Sequence, residues 1–228
     1  AELPFVQEVG FFTASCRRVE TQELSRQLRV QAGRVQRRFT VRTRDLGTRC
    51  TFRVVRGRVA PELLRAAQEA DVVIMGKGAW SPLQTERLAP AIREVLSEVP
   101  ASTLVLRRGT QVEPPLRVVY DGSSLADKAV AVAADLAKGE DGQLTVFLLA
   151  DDPEKASQQE DDVREQLAGT GLEPMFLVLS EASVSRIAYL VAHEEGGTLI
   201  LPAEPAALED EALIDFLDET RVPVLLIR

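Results

Sequence analysis

The chain is poor in the residues from which metal and catalytic sites are most often built. Its 228 residues include one histidine, two cysteines and one tryptophan. Because Cys16 and Cys50 show no CxxC spacing, we expect two reduced thiols and no zinc site. His193 falls late in a predicted helix without a GxSxG motif, so no serine-histidine-aspartate triad is expected. The composition therefore predicts a protein without a metal and without an enzymatic site.

Long apolar runs are also missing. None reaches the roughly 18 to 20 residues that a membrane-spanning helix needs. The segment FVQEVGFF is apolar but short and contains Glu8, so we expect neither a signal peptide nor an anchor. Unpaired thiols fit a reducing compartment, and the predicted location is the cytoplasm.

Charge is unevenly distributed along the chain, whose net charge is −8. Residues 1–110 hold 19 basic and 11 acidic residues, a net +8, whereas residues 111–228 hold 8 and 24, a net −16. Opposite charges favour attraction between the halves, within one chain or across a dimer.

The basic residues concentrate in residues 17–58, which contain 13 arginines against three acidic residues. Arginine suits phosphate groups, but the segment has no interleaved aromatic residues and no known nucleic-acid reader motif. We therefore do not expect nucleic-acid binding. A solvated helix face with salt bridges to the acidic half is the favoured interpretation.

A linker is predicted at RRGTQVEPPL, residues 107–116, where glycine and paired prolines separate two apolar runs. It divides the chain into domains 1–110 and 111–228. In the second domain, strands are predicted at 116–120, 143–150, 173–180, 198–203 and 222–228. They alternate with helices predicted at 125–142, 152–171, 181–197 and 209–220. The strands are continuous apolar runs, which is typical of a doubly wound α/β fold with a buried parallel sheet.

The first domain repeats the later part of this pattern. Strands are predicted at 50–57, 71–78 and 101–108, and helices at 19–47, 60–70 and 85–99. ADVVIMGKG parallels GTLILPAEP, and VPASTLVLRR parallels TRVPVLLIR, which indicates an internal repeat. Residues 1–22 contain no counterpart of LRVVYDGSS, of its helix or of a full second strand. The first copy is therefore predicted to be incomplete.

The order of these segments resembles the universal stress protein family in its tandem-domain form. The resemblance rests on VVYDGSS before an alanine-rich helix, on VFLLA, MFLVL and LILPA, and on the closing VPVLLIR. It implies two tandem doubly wound parallel-sheet domains of the kind shared with adenine nucleotide alpha hydrolases, with strand order 3-2-1-4-5 in the second. It also implies a stress-linked role, often with ATP, and dimerisation through the last strand.

Members of the family that bind ATP carry an acidic residue after the first strand and a GxxG loop after the fourth, followed after nine residues by glycine and Ser or Thr. Here the loop reads PAEPAALEDE from Pro202 to Glu211, and no glycine occurs from Thr198 to Arg228. Proline donates no N–H, and like charge near a phosphate costs on the order of 4 kcal/mol. A triphosphate should be rejected at this loop.

Two candidate binding segments are left. Asp121, with Gly122 and Ser123, matches the position of the family's nucleotide-contacting acid, although Asp-Gly-Ser also favours a plain turn and helix N-cap. In the first domain, Gly76, Lys77 and Gly78 form GxG in place of GxxG, and Lys77 could meet an anion. Trp80 is interpreted as a packing or interface aromatic residue.

The resulting prediction is a non-catalytic stress-response binding or regulatory protein with degenerate ATP loops. It would act through contacts with client proteins and with itself, as a homo-oligomer, because an absent front strand leaves open sheet edges. No cofactor is expected. The alternative is an ATP- or AMP-binding stress sensor that uses the pocket near Asp121.

Overall fold

The computed structural model describes residues 5–10, 15–55, 57–77, 88, 90–107, 109–138, 142–179, 196–203 and 211–228. The chain groups into two compact units, Ala1–Arg56 and Gly57–Arg228. The division into domains 1–110 and 111–228 stays a prediction, which this grouping does not test. His193 and Trp80 lie outside the described residues.

The first unit consists of a β-hairpin and a long helix. Strands β1 (Phe5–Gly10) and β2 (Ser15–Glu20) pair in antiparallel fashion, and α1 spans Thr21–Thr43. The helix predicted over 19–47 is confirmed, whereas the hairpin is not foreseen in the sequence. On α1 the Phe39 ring packs 5.6 Å from the Phe52 ring.

The strand predicted over residues 50–57 is wrong. Residues 50–55 have no regular secondary structure, and the side chains of Val54 and Val55 are 65% and 54% exposed. A β-branched run favours a strand only where a neighbouring strand and a packed face receive it. No described strand pairs with these residues, so the run is left irregular.

The second unit has seven strands and five helices among its described residues. The strands are β3 (Val72–Gly76), β4 (Ser102–Leu106), β5 (Leu116–Tyr120), β6 (Leu144–Leu149), β7 (Met175–Leu179), β8 (Thr198–Pro202) and β9 (Val224–Ile227). The helices are α2 (Val59–Ala67), α3 (Pro90–Glu98), α4 (Ser124–Ala137), α5 (Pro153–Gln166) and α6 (Glu211–Glu219). Each strand matches a predicted one within a few residues. The helix predicted over 181–197 lies almost entirely outside the described residues.

All seven strands form one sheet in the order β3-β4-β9-β8-β5-β6-β7. Every neighbouring pair is parallel except β4 and β9, which are antiparallel. The predicted α/β fold with a mostly parallel sheet is therefore confirmed. The stretch from β5 to β9 supplies five adjacent strands, β7-β6-β5-β8-β9.

The antiparallel junction is locally symmetric. Leu104 faces Leu225, with Thr103 opposite Leu226 and Val105 opposite Val224. The carboxyl ends of β4 and β9 accept equivalent hydrogen bonds. The N–H of Lys77, just after β3, donates to the Leu106 carbonyl of β4 at 2.8 Å, and the N–H of Ala203, just after β8, donates to the Ile227 carbonyl of β9 at 2.9 Å. The pair β3-β4 is thus related to β8-β9 by an approximate two-fold axis beside Leu104 and Leu225.

The core occupies both faces of the sheet. Buried side chains of α2, α3 and α6 pack on one face, and those of α4 on the other. The central strand β5 is buried at every position. In contrast, Val72 and Ile74 of β3 are 50% and 64% exposed, which marks β3 as a sheet edge among the described strands. Only the centre of the sheet is covered on both sides, as a parallel sheet requires.

Candidate functional site

A crevice is expected where the chain turns to opposite sides of the sheet. Strand β5 lies between β6 and β8 and runs parallel to both, so the segments after β5 and β8 meet at the same edge. Ligands of open α/β sheets bind outside the carboxyl ends of the strands at such a point. The segments concerned begin at Asp121 and Ala203.

The segment after β5 forms a tight turn and a helix cap. Ser123 donates its backbone N–H to Oδ1 of the exposed Asp121 at 2.9 Å, and Gly122 adopts a left-handed φ of 84°. Ser123 Oγ accepts from the N–H of Ala126 at 3.2 Å, which caps α4. The turn and N-cap interpretation therefore accounts for all three residues. A ligand contact by Asp121 stays a prediction.

Two buried polar side chains lie beside this turn, and neither was singled out from the sequence. Tyr120 donates its hydroxyl to Asp127 Oδ1 at 3.0 Å. Burial, helped by this hydrogen bond, raises the pKa of Tyr120 well above its ordinary value. Gln159 of α5 donates from Nε2 to the Leu149 carbonyl at 3.2 Å, and its Oε1 has no partner among the described residues. Both roles depend on helix packing, for which the sequence has no local signal.

The carboxyl end of β8 offers few backbone donors among the described residues. Pro202 has no N–H, and the N–H of Ala203 is already bonded to the Ile227 carbonyl at 2.9 Å. A phosphate cradle needs several free N–H groups that point at the ligand. Residues 204–210, which hold most of the predicted acidic loop, lie outside the described residues.

Lys77 is buried, with 2% of its surface exposed. Its ammonium donates to the carbonyl of Thr220, just past the end of α6. Burial is the main cause that lowers the pKa of Lys77 to about 8; Arg107 lowers it further, whereas Asp218 raises it. A cation at a helix C-terminus interacts favourably with the helix dipole. An anion contact by Gly76 and Lys77 stays a prediction, and Gly78 lies outside the described residues.

Charged side chains also join α6 and β9 to α3. Asp218 accepts from the guanidinium of Arg93 and from the N–H of Leu88. Arg228 donates through its guanidinium to the carbonyls of Leu96 and Val99 at the end of α3. The Arg228 contacts satisfy carbonyls at the helix end that lack intrahelical partners. Charge here therefore holds elements together across the β4–β9 junction.

The described part of the chain contains no group of three or more His, Cys, Asp or Glu side chains that could hold a metal ion. Within the same residues, no helix is long and apolar enough to cross a bilayer.

The described geometry is that of an α/β protein with a mostly parallel sheet. No family model and no curated protein matches the sequence. Solved structures do match. A universal stress protein from Archaeoglobus fulgidus aligns at 15% identity and a TM-score of 0.70, over 91% of this chain and 80% of its own.

Two structures from Pseudomonas aeruginosa also align, each at 16% identity. A putative universal stress protein has a TM-score of 0.56 over 85% of this chain and 77% of its own. A functionally unknown protein has a TM-score of 0.57 over 85% of this chain and 76% of its own. At such identities the likeness shows the fold alone, and this chain therefore has the fold of universal stress protein structures.

Proposed function

We propose that the chain is a tandem-domain member of the universal stress protein family that serves a stress response. The fold of its structural neighbours supports this assignment. So does the sheet, in which β7-β6-β5-β8-β9 follow the family order 3-2-1-4-5. The two-fold relation of β3-β4 to β8-β9 supports an internal repeat with an incomplete first copy.

The proposed mode of action is protein contact without catalysis, in the cytoplasm. One observation carries the proposal: the last residue of β8 and the residue after it offer no free N–H, because Pro202 has none and Ala203 donates to Ile227. The sequence that follows adds a second proline, four acidic residues and no glycine. A polyphosphate would meet carboxylates and few donors at this strand end.

Calorimetric titration of the full chain with ATP tests the proposal. We expect no saturable binding tighter than about 1 mM, a limit that corresponds to roughly −4 kcal/mol. An assay for phosphate release from ATP should show no turnover above the buffer rate. Tight ATP binding, or turnover abolished by substitution at Asp121, would contradict the proposal.

The second candidate is an AMP- or ATP-binding sensor that uses Asp121. Its support is the position of Asp121 just after the central strand β5 and its exposed carboxylate. If AMP binds, Asp121→Asn should weaken binding at least tenfold, because a charge-assisted hydrogen bond is lost. Asp151→Asn is the matched control, since Asp151 is an exposed aspartate near the end of the adjacent strand β6. Equal affinities for both variants would exclude Asp121 as the contact.

A further inference from the structure

Helix α1 carries an extensive basic surface. Between Leu24 and Arg44 the sequence has seven arginines and no acidic residue. All seven side chains are exposed, and none belongs to an ion pair among the described residues: Arg26, Arg29, Arg34, Arg37, Arg38, Arg42 and Arg44. In a chain of net charge −8, these seven residues make one strongly cationic surface.

The outward face of α1 combines charge with apolar surface. Val35 and Phe39 are half-buried on the opposite side. Arg26 and Arg37 are eleven residues apart, which is three helical turns, so they lie on one line about 16.5 Å apart. Val30, 49% exposed, lies close to this line. Exposed arginine beside exposed aliphatic side chains is typical of protein interfaces.

Helix α5 presents the complementary pattern. Its inward face buries Ala156 and Val163, while Glu154, Asp161 and Glu165 are exposed on the opposite side. Glu154 and Glu165 are also eleven residues apart and therefore also about 16.5 Å apart. None of these three carboxylates belongs to an ion pair in the described part of the chain, where Arg164 pairs with Glu160.

We infer that the outward face of α1 in one copy of this chain binds the outward face of α5 in a second copy. The inference deepens the proposed function, because it rests on action through protein contacts and names the surface for self-association. Matched spacing and opposite charge support it, as does the net −16 of residues 111–228. A two-fold dimer would make the contact twice, once for each α1.

Nucleic acid is the less favoured partner. The net charge of the chain repels a polyanion at long range. Binding of single strands commonly uses stacked aromatic side chains, but the only aromatic residue of α1 between Leu24 and Thr43, Phe39, packs against Phe52. A second copy, in contrast, supplies carboxylates at the spacing of the arginines.

Sedimentation velocity of the full chain over about 1 to 100 µM tests the inference. We expect a concentration-dependent dimer at about 0.05 M NaCl that weakens at about 0.5 M, since salt screens exposed charges. Arg26→Glu with Arg37→Glu should weaken association at least tenfold. The control, Arg38→Glu with Arg42→Glu, makes the same charge change off the line, about 120° and 160° around the helix from Arg26, and should stay within about threefold of the parent chain. Mixing the Arg26/Arg37 variant with Glu154→Arg/Glu165→Arg should restore association.

Each other outcome has a distinct meaning, provided that circular dichroism shows every variant folded. A dimer that is equally stable at about 0.5 M NaCl and in the Arg26→Glu/Arg37→Glu variant would contradict this inference but not self-association by another surface. A chain that is monomeric at every concentration would contradict both the α1–α5 contact and self-association. Equal loss in the control pair shows a general charge effect and also overturns the inference. So does tight binding of a labelled 20-nucleotide DNA that depends on Arg26 and Arg37 in a chain that stays monomeric.

Discussion

At the residue scale, Lys77 shows how tertiary packing changes the role of a side chain. The sequence pattern GxG around it predicts an anion contact, yet its ammonium is buried against the Thr220 carbonyl. A buried amine is less easily protonated, because burial disfavours the charged form. Its pKa of about 8 therefore links protonation of this one residue to the stability of the second unit.

Stability should depend on pH through Lys77. The folded-state pKa of about 8 lies below the ordinary 10.5, so the unfolded chain holds this proton over a wider range of pH. Between those values the free energy of unfolding should rise with pH, by at most about 1.4 kcal/mol per pH unit. Urea unfolding from pH 7 to 10 measures this slope.

The Lys77→Met variant lacks this titrating group, so its free energy of unfolding should rise less steeply with pH than that of the parent chain. The matched control is Lys138→Met, which removes an exposed lysine after α4 and should leave the slope as it was. Parallel curves for the parent and the Lys77 variant would show that Lys77 does not titrate in this window.

At the element scale, α4 begins where the candidate site lies. Ser123 caps the helix, and Asp121 closes the turn before it. In the sensor alternative, Asp121, Gly122 and Ser123 would contact a nucleotide. Helix capping is thus a measurable structural role that needs no ligand.

Ser123→Ala should lower the free energy of unfolding by about 1 kcal/mol, because the N–H of Ala126 loses its acceptor. Ser124→Ala is the matched control, since Ser124 is the first helical residue and not the cap; its effect should be within about 0.5 kcal/mol. Urea unfolding without nucleotide compares the two variants. Equal effects would mean that the serine hydroxyl at 123 is not a stabilising cap.

At the scale of the whole molecule, two charge patterns act differently. Across the β4–β9 junction, charged groups are partly buried and directed at specific partners. The arginines from Arg26 to Arg44, and Glu154, Asp161 and Glu165 of α5, are exposed and in no ion pair among the described residues. Buried pairs hold elements in place, whereas exposed charges mainly steer association.

Asp218→Ala should therefore destabilise the second unit by about 2 kcal/mol, because Arg93 and the N–H of Leu88 both lose an acceptor. The Asp218 side chain is only 8% exposed. Asp135→Ala removes a similar pair with Lys138 whose carboxylate is 77% exposed, and it should cost no more than about 0.5 kcal/mol. Thermal or urea unfolding of both variants checks the difference, and a mild effect at Asp218 would mean that the junction does not depend on it.

The alternation of strands and helices was determined by the sequence itself. Runs such as LRVVY and VPVLLIR are apolar at all but one position, as a strand covered on both faces must largely be, so β5 and β9 could be predicted without neighbours. Ser123 and Asp121 were also readable as a turn and cap, because that chemistry acts over three residues. The uneven charge of the two halves needs no structure either.

Contacts between distant segments were decided only by the tertiary structure. The run TFRVV is as β-favouring as LRVVY, yet residues 50–55 form no strand because pairing depends on a neighbour elsewhere in the chain. The burial of Lys77, the antiparallel meeting of β4 and β9, and the unpaired Oε1 of Gln159 likewise arise from elements far apart in sequence. Local patterns specify candidate elements, whereas long-range packing decides which of them form and which partners they take.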